Sequence, residues 1–197
     1  MSSGHGAQNP TVHYRLIDAC RFLLTSLTIE AILRESTIHT RRERLNGARY
    51  EAGLVDAYNA TMEWIMAQGG EKSRLGVAAL MWISHAEQPL RADELCHALA
   101  VELCSTDFNP GKVPSMSELV GYCQGLIAVD KEASTVRLIH FTLQEYLSGR
   151  PDIFTRAHAA MAEICLTYLN SKHVKAILAD GYPNPIDDDF LEYCYLF

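Results

Sequence analysis

The stretch 115-SMSELVGYCQGLIAVDKEASTVRLIHFTLQEYL-147 decides the fold. Ser115 and Glu118 have the S-x-x-E spacing of a capping box, so a helix opens there and runs to Gly125. Leu126–Val129 and Thr135–Phe141 flank the turn 130-DKEAS-134 and read as a β-hairpin. The second run delivers His140 to the mouth of a short helix. Thr142 and Glu145 repeat the capping spacing as T-x-x-E, so this helix is expected to begin at about Thr142, with Glu145 orienting it. A helix N-terminus presents unpaired N–H groups and a partial positive charge, which suits an anion such as a phosphate. A neutral imidazole beside it adds one donor and can charge near neutral pH. The corner thus reads as phosphate-sensing, set against the plainer reading of a core histidine at a strand end.

Working upstream, Leu95, Cys96 and Leu99 form the inward stripe of a helix over Ala92–Val101, preceded by the turn 87-EQP-89. Leu75, Ala79, Leu80, Trp82 and Ile83 do the same over Ser73–His85. Three helices followed by a two-stranded wing describe a winged helix, a helix-turn-helix variant. Leu54, Tyr58, Met62, Ile65 and Met66 predict a further helix, ended by Gly69-Gly70. A short basic helix is expected at 37–45, and a long one over Tyr14–Glu35. Downstream, Pro151 suits the first turn of a helix running to Asn170. A short helix at 172–179 and the loop 180-DGYPNPIDDD-189 follow. The apolar end 190-FLEYCYLF-197 reads as a helix cut short or one that needs a partner. The expected fold class is therefore mainly α. Its parts are a flexible lead-in (1–13), a helical segment (14–70), a winged helix (71–149) and a trailing helical segment (150–197).

Charge and composition narrow the function. The 197 residues carry a net charge of −7, which argues against nucleic acid and anionic membrane as partners. The basic residues gather in 1–50, where 41-RRER-44 reads as a solvated helix face. In the helix that a winged helix would place in the major groove, 115–125, there is no Arg or Lys, and Glu118 is present. The wing's Lys131 and Arg137 are offset by Asp130 and Glu132. The apolar run 16–33 is interrupted by Asp18, Arg21 and Glu30, so it reads as a buried helix rather than a membrane span. Six scattered cysteines without a C-x-x-C pair suggest a reduced, cytoplasmic protein. No metal-ligand spacing and no G-x-S-x-G elbow occurs, so no catalytic residue and no metal site is expected. Trp64, Trp82 and the methionines read as core.

Five pieces together carry a family resemblance: 22-FLLTSLTIEAI-32, 54-LVDAYNATMEWI-65, 80-LMWISHAEQPLRADELCHALAV-101, 119-LVGYCQGLIAVD-130 and 137-RLIHFTLQEYL-147. Over about residues 20–175 the chain resembles fungal NACHT-type STAND NTPases, in the part after the nucleotide-binding core and before the C-terminal repeats, which are often ankyrin repeats. Their winged helix carries a GPI inositol-deacylase label. The resemblance implies that His140, the first residue of 140-HFTLQEY-146, contacts the β-phosphate of ADP in an intact parent. Gln144 and Glu145 match the pattern without an assigned contact. ADP or ATP would belong to the parent's core, since this chain has no G-x-x-x-x-G-K-[ST] loop and implies no cofactor of its own. Arg91 stands where relatives often have Thr or Ser before the second helix, a loss worth roughly 1 kcal/mol of capping. The implied role is a non-enzymatic regulatory module in signal transduction, with the NACHT core and the repeats as partners and self-association through exposed docking faces. The alternative is a stand-alone winged-helix adaptor that binds another protein.

Overall fold

A computed structural model describes residues 25–29, 32–47, 53–103, 105, 107–179 and 189–196. The lead-in 1–13, most of the helix expected over Tyr14–Glu35 and the loop 180–188 lie outside the described residues. The chain divides into two compact units, Met1–Glu63 and Trp64–Phe197.

In the first unit, residues 25–29 and 32–33 are helical. Helix α1 (Ile38–Gly47) follows, opened by Thr37, whose hydroxyl accepts from the Thr40 amide at 3.2 Å. Arg41 turns back, donating to the carbonyls of Glu35 (2.8 Å) and Leu33 (3.0 Å). One arginine of the basic run therefore closes the preceding helix, while Arg42 and Glu43 stay exposed. The unit boundary falls within α2 (Leu54–Ala67).

The second unit is a mainly helical winged helix with a small sheet. Helix α3 (Gly70–His85) opens straight after Gly69, earlier than expected; both Gly69 (φ +68°) and Gly70 (φ +54°) adopt the left-handed region that only glycine enters without cost. Helix α4 (Ala92–Ala100) follows, then a 3-10 turn at Pro110–Lys112 and α5 (Met116–Tyr122), shorter than its expected span because residues 123–125 form a turn with Gln124 and Gly125 at positive φ. Strands β2 (Ile127–Asp130) and β3 (Thr135–Leu138) form the wing. The structure adds a strand that the turn 87–89 had concealed. β1 (Leu90–Arg91) pairs antiparallel with β3, Leu90 opposite Val136, giving the sheet order β1-β3-β2. Two residues are too short to show a period in sequence, so only pairing reveals them.

After the wing come α6 (Phe141–Ser148), α7 (Ala157–Leu169), α8 (Lys172–Ala179) and α9 (Asp189–Leu196). The helix expected from Pro151 begins only at Ala157. Arg150 forks onto Asp152 (2.8 and 2.9 Å) and donates to the Tyr146 hydroxyl (2.9 Å). Phe154 is buried against His85, their rings 5.5 Å apart. These contacts hold 151–156 in turns, and Arg156 at φ +59° ends them.

Helix α3 is the hub, packing on α4, α5, α6, α7 and β3. Its Leu75, Ala79, Leu80 and Trp82 are buried with Leu95, Leu119, Leu126, Val136, Leu143 and Met161. Gly76 permits the closest approach: a Cβ there would meet the Tyr122 carbonyl oxygen at 3.0 Å and Ile65 at 3.1 Å. The apolar end of the chain finds its partner within the same unit. Helix α9 lies on α4 and α7, burying Phe190, Leu191, Tyr193 and Cys194. Trp82 meets Phe190 and Tyr193 edge-on at 6.0 and 5.8 Å, and Tyr168 meets Phe190 at 4.9 Å.

Candidate functional site

The site forms where β3 hands over to α6. The Ile139 amide donates to the Leu126 carbonyl (3.1 Å), which carries the wing's pairing up to His140. His140 is extended (φ −156°, ψ 149°) and is itself the N-cap of α6. The helix therefore starts at Phe141, one residue earlier than the T-x-x-E spacing suggests, and the capping role assigned to Thr142 belongs to His140. Its Nδ1 accepts from the Thr142 amide (3.3 Å) and lies 2.8 Å from the Thr142 hydroxyl. Its carbonyl accepts from the Leu143 amide (3.1 Å).

Two consequences follow. First, amides expected to await an anion are engaged by His140's own ring and carbonyl, so this helix terminus is largely closed by its cap. Secondly, with Nδ1 accepting, a neutral His140 carries its proton on Nε2. The backbone thereby selects the tautomer and leaves Nε2 as the remaining donor. The ring is half-buried and is steadied by Phe141, 4.5 Å away and 46% exposed. It lines an open cleft of about 380 Å3 together with Pro89, Leu90, Arg137, Phe141 and Gln144. Arg137 and Glu87 bring opposite charges to that cleft.

Gln144 has a contact that sequence reasoning did not assign. Its side-chain amide donates to the Ser84 carbonyl near the end of α3, tying α6 to the hub helix. Ser84 also lies 2.8 Å from His85 Nδ1, whose ring meets Phe154 and His158. The chain from Gln144 to Phe154 thus fixes α6 against α3. Glu145, expected to cap and orient the helix, is exposed in its second turn.

The surface that would face DNA in a groove-reading winged helix has no basic excess. Ser115 and Glu118 form the expected box: the Glu118 amide donates to the Ser115 hydroxyl (3.3 Å), and the Ser115 amide to Glu118 (3.2 Å). The Ser115 hydroxyl and amide together hold the Glu118 carboxyl below its ordinary range, so it stays charged. In the wing turn, Asp130 accepts from the amides of Ala133 (3.2 Å) and Glu132 (3.0 Å), and they lower its pKa. Arg91 lacks a side-chain cap for α4, yet Glu94 accepts from the Arg91 amide at 2.7 Å, so half of that capping box survives. This bond accounts for a carboxylate only 8% exposed.

Among the described residues no group of three or more His, Cys, Asp or Glu side chains is placed to hold a metal, and no helix is long and apolar enough to cross a membrane. No curated protein and no solved structure matches the chain. A family model does: that of the GPI inositol-deacylase, winged helix domain, over residues 62–162. That span runs from the end of α2 through the hub helix, the wing and the His140 corner into α7, so both the matched half of the chain and its three-stranded, helix-packed architecture place this protein in the GPI inositol-deacylase winged helix domain family.

Proposed function

We propose that this chain is the non-enzymatic regulatory module of a NACHT-type STAND signalling protein, lying between a nucleotide-binding core and C-terminal repeats. The observation that carries the reading is the His140 corner: Nδ1 is held by Thr142, which leaves Nε2 as the remaining donor of a ring that lines an open cleft. A donor held in advance loses little freedom on binding, and a hydrogen bond to a charged acceptor is worth about 1.5–3 kcal/mol. A contact of that size to a diphosphate on the parent's core biases a two-state switch by about 10- to 150-fold, which suffices to hold a resting state. Exchange of ADP for ATP would remove the bias and let the winged helix swing. An α5 that carries Glu118 and no Arg or Lys, beside a wing whose charges cancel, favours protein over nucleic acid as the surface these elements meet.

His140→Leu and His140→Asn in an intact parent test this. The Asn side-chain oxygen still caps α6, whereas Leu cannot. Both should release ADP at least about tenfold faster and assemble without a signal. Unchanged ADP retention in a folded His140→Asn parent rejects the role. The exposed Phe141 favours the second reading, a stand-alone adaptor that docks a protein segment in the same cleft. In that case Phe141→Ala would abolish partner capture while neither His140 variant alters nucleotide release.

A further inference from the structure

We propose that His85 and His158 form a two-histidine site for a borderline divalent metal ion such as zinc, joining the end of helix α3 to helix α7. The two helices pack on one another, and the two imidazoles stand 5.5 Å apart between ring centres at an interplanar angle of 78°. A tetrahedral ion with metal–nitrogen bonds of about 2.0–2.1 Å holds the centres of two bound imidazoles about 5 Å apart. The pair is therefore near chelating distance before any ion arrives, and an adjustment of the exposed His158 ring closes the difference. His158 is exposed and His85 is half-buried, so an ion reaches the pair from solvent.

The surroundings of His85 set its free nitrogen. Nδ1 lies 3.1 Å from the Met81 carbonyl oxygen, which can only accept, and 2.8 Å from Ser84 Oγ. The Ser84 hydroxyl donates its own proton to the same carbonyl at 3.2 Å, so it too accepts from Nδ1. The neutral ring thus carries its proton on Nδ1 and keeps a lone pair on Nε2. This is the tautomer a metal requires, with the second nitrogen held by a backbone carbonyl. Phe154 meets the His85 ring edge-on at 5.5 Å and steadies the imidazole from another side.

Ligand chemistry narrows the ion. Neutral imidazoles suit zinc, copper(II) and nickel(II), whereas magnesium and calcium need oxygen ligands. Since no group of three or more His, Cys, Asp or Glu side chains is placed to hold a metal among the described residues, the ion keeps water in its remaining positions. Two protein ligands make a modest, reversible site rather than a closed structural centre. Its effect is mechanical: the ion ties α7 to α3 across the turns 151–156, next to the Ser84 carbonyl that holds Gln144 of α6.

The test uses the purified 197-residue chain, stripped with EDTA and titrated with zinc chloride. In ring-nitrogen NMR spectra, His85 Nε2 and one nitrogen of His158 should shift together, while Nδ1 of His85 stays protonated and magnesium chloride has no effect. With zinc at about ten times its Kd, amide hydrogen exchange over 157–169 should slow about tenfold, and EDTA should restore it. His158→Ala, at an exposed position, should keep the fold and lose both effects. His97 and His173, which both meet the Phe108 ring at 5.6 Å, are internal controls. Zinc-induced shifts confined to these or other histidines would overturn the proposal. So would slowed exchange that survives in a folded His158→Ala chain, or no shift at either ring with about 1 mM zinc.

Discussion

At the scale of single residues, His140 and Glu118 show how one side chain can serve a helix end and something more. Glu118 is exposed, yet its carboxyl is held low by the Ser115 hydroxyl and amide. A carboxyl whose folded pKa lies below its unfolded one stabilises the fold above the unfolded value, near 4.5, and loses that contribution as pH falls through the lower folded value. Glu118→Gln should therefore be less stable than the parent chain near neutral pH. The gap in melting temperature should close between about pH 5 and pH 3, and thermal melts across that range check it. Ser115→Ala removes the other half of the box and should cost about 1 kcal/mol in urea unfolding. Both residues were legible from spacing alone. His140 was found by the same reading, but its job as the cap was given to Thr142, because Ser, Thr, Asn and Asp are the usual caps and an imidazole is not expected there.

Among elements, α3 and α5 approach each other closely at Gly76. Gly76 faces the Tyr122 carbonyl, which also accepts from the Gln68 side chain at 2.8 Å, and its own carbonyl accepts from Cys123 Sγ at 3.6 Å. Alanine would gain about 1 kcal/mol of helix propensity. The new methyl would meet backbone oxygen at 3.0 Å, and a backbone cannot move aside as a side chain can. Overpacking of this kind costs about 1–3 kcal/mol, so Gly76→Ala should destabilise on balance, read as a lower urea midpoint with unchanged slope. Gln144→Leu should cost about 1 kcal/mol by leaving the Ser84 carbonyl without its α6 donor. The helices themselves were visible in the 3.6-residue stripes, whereas the start of α7 was not. Pro151 is a good first-turn residue, but burial of Phe154 on His85 and the Arg150–Asp152 fork outweigh that preference.

Taken as a whole, the second unit is a winged helix followed by the helices α6 to α9, and α9 is the piece that completes its packing. Phe190 is fully buried among Trp82, Tyr168 and Tyr193. Phe190→Ala should cost about 3–5 kcal/mol and expose the aromatic face, seen as a lowered melting temperature together with concentration-dependent association in sedimentation. If the variant stays monomeric and as stable as the parent chain, α9 is not part of this core.

The amino-acid sequence by itself determined the mainly helical class, the wing, the Ser115–Glu118 box, the lack of a basic excess on the surface a groove reader would use, and His140 at a helix mouth. Each is a local matter of period, spacing or charge, expressed within a few residues. Only the tertiary structure decided that Leu90–Arg91 joins the sheet, that Gln144 reaches Ser84, and that the apolar end folds back on α4 and α7. These depend on residues far apart in the chain, and no local pattern records which distant partner a buried face will meet.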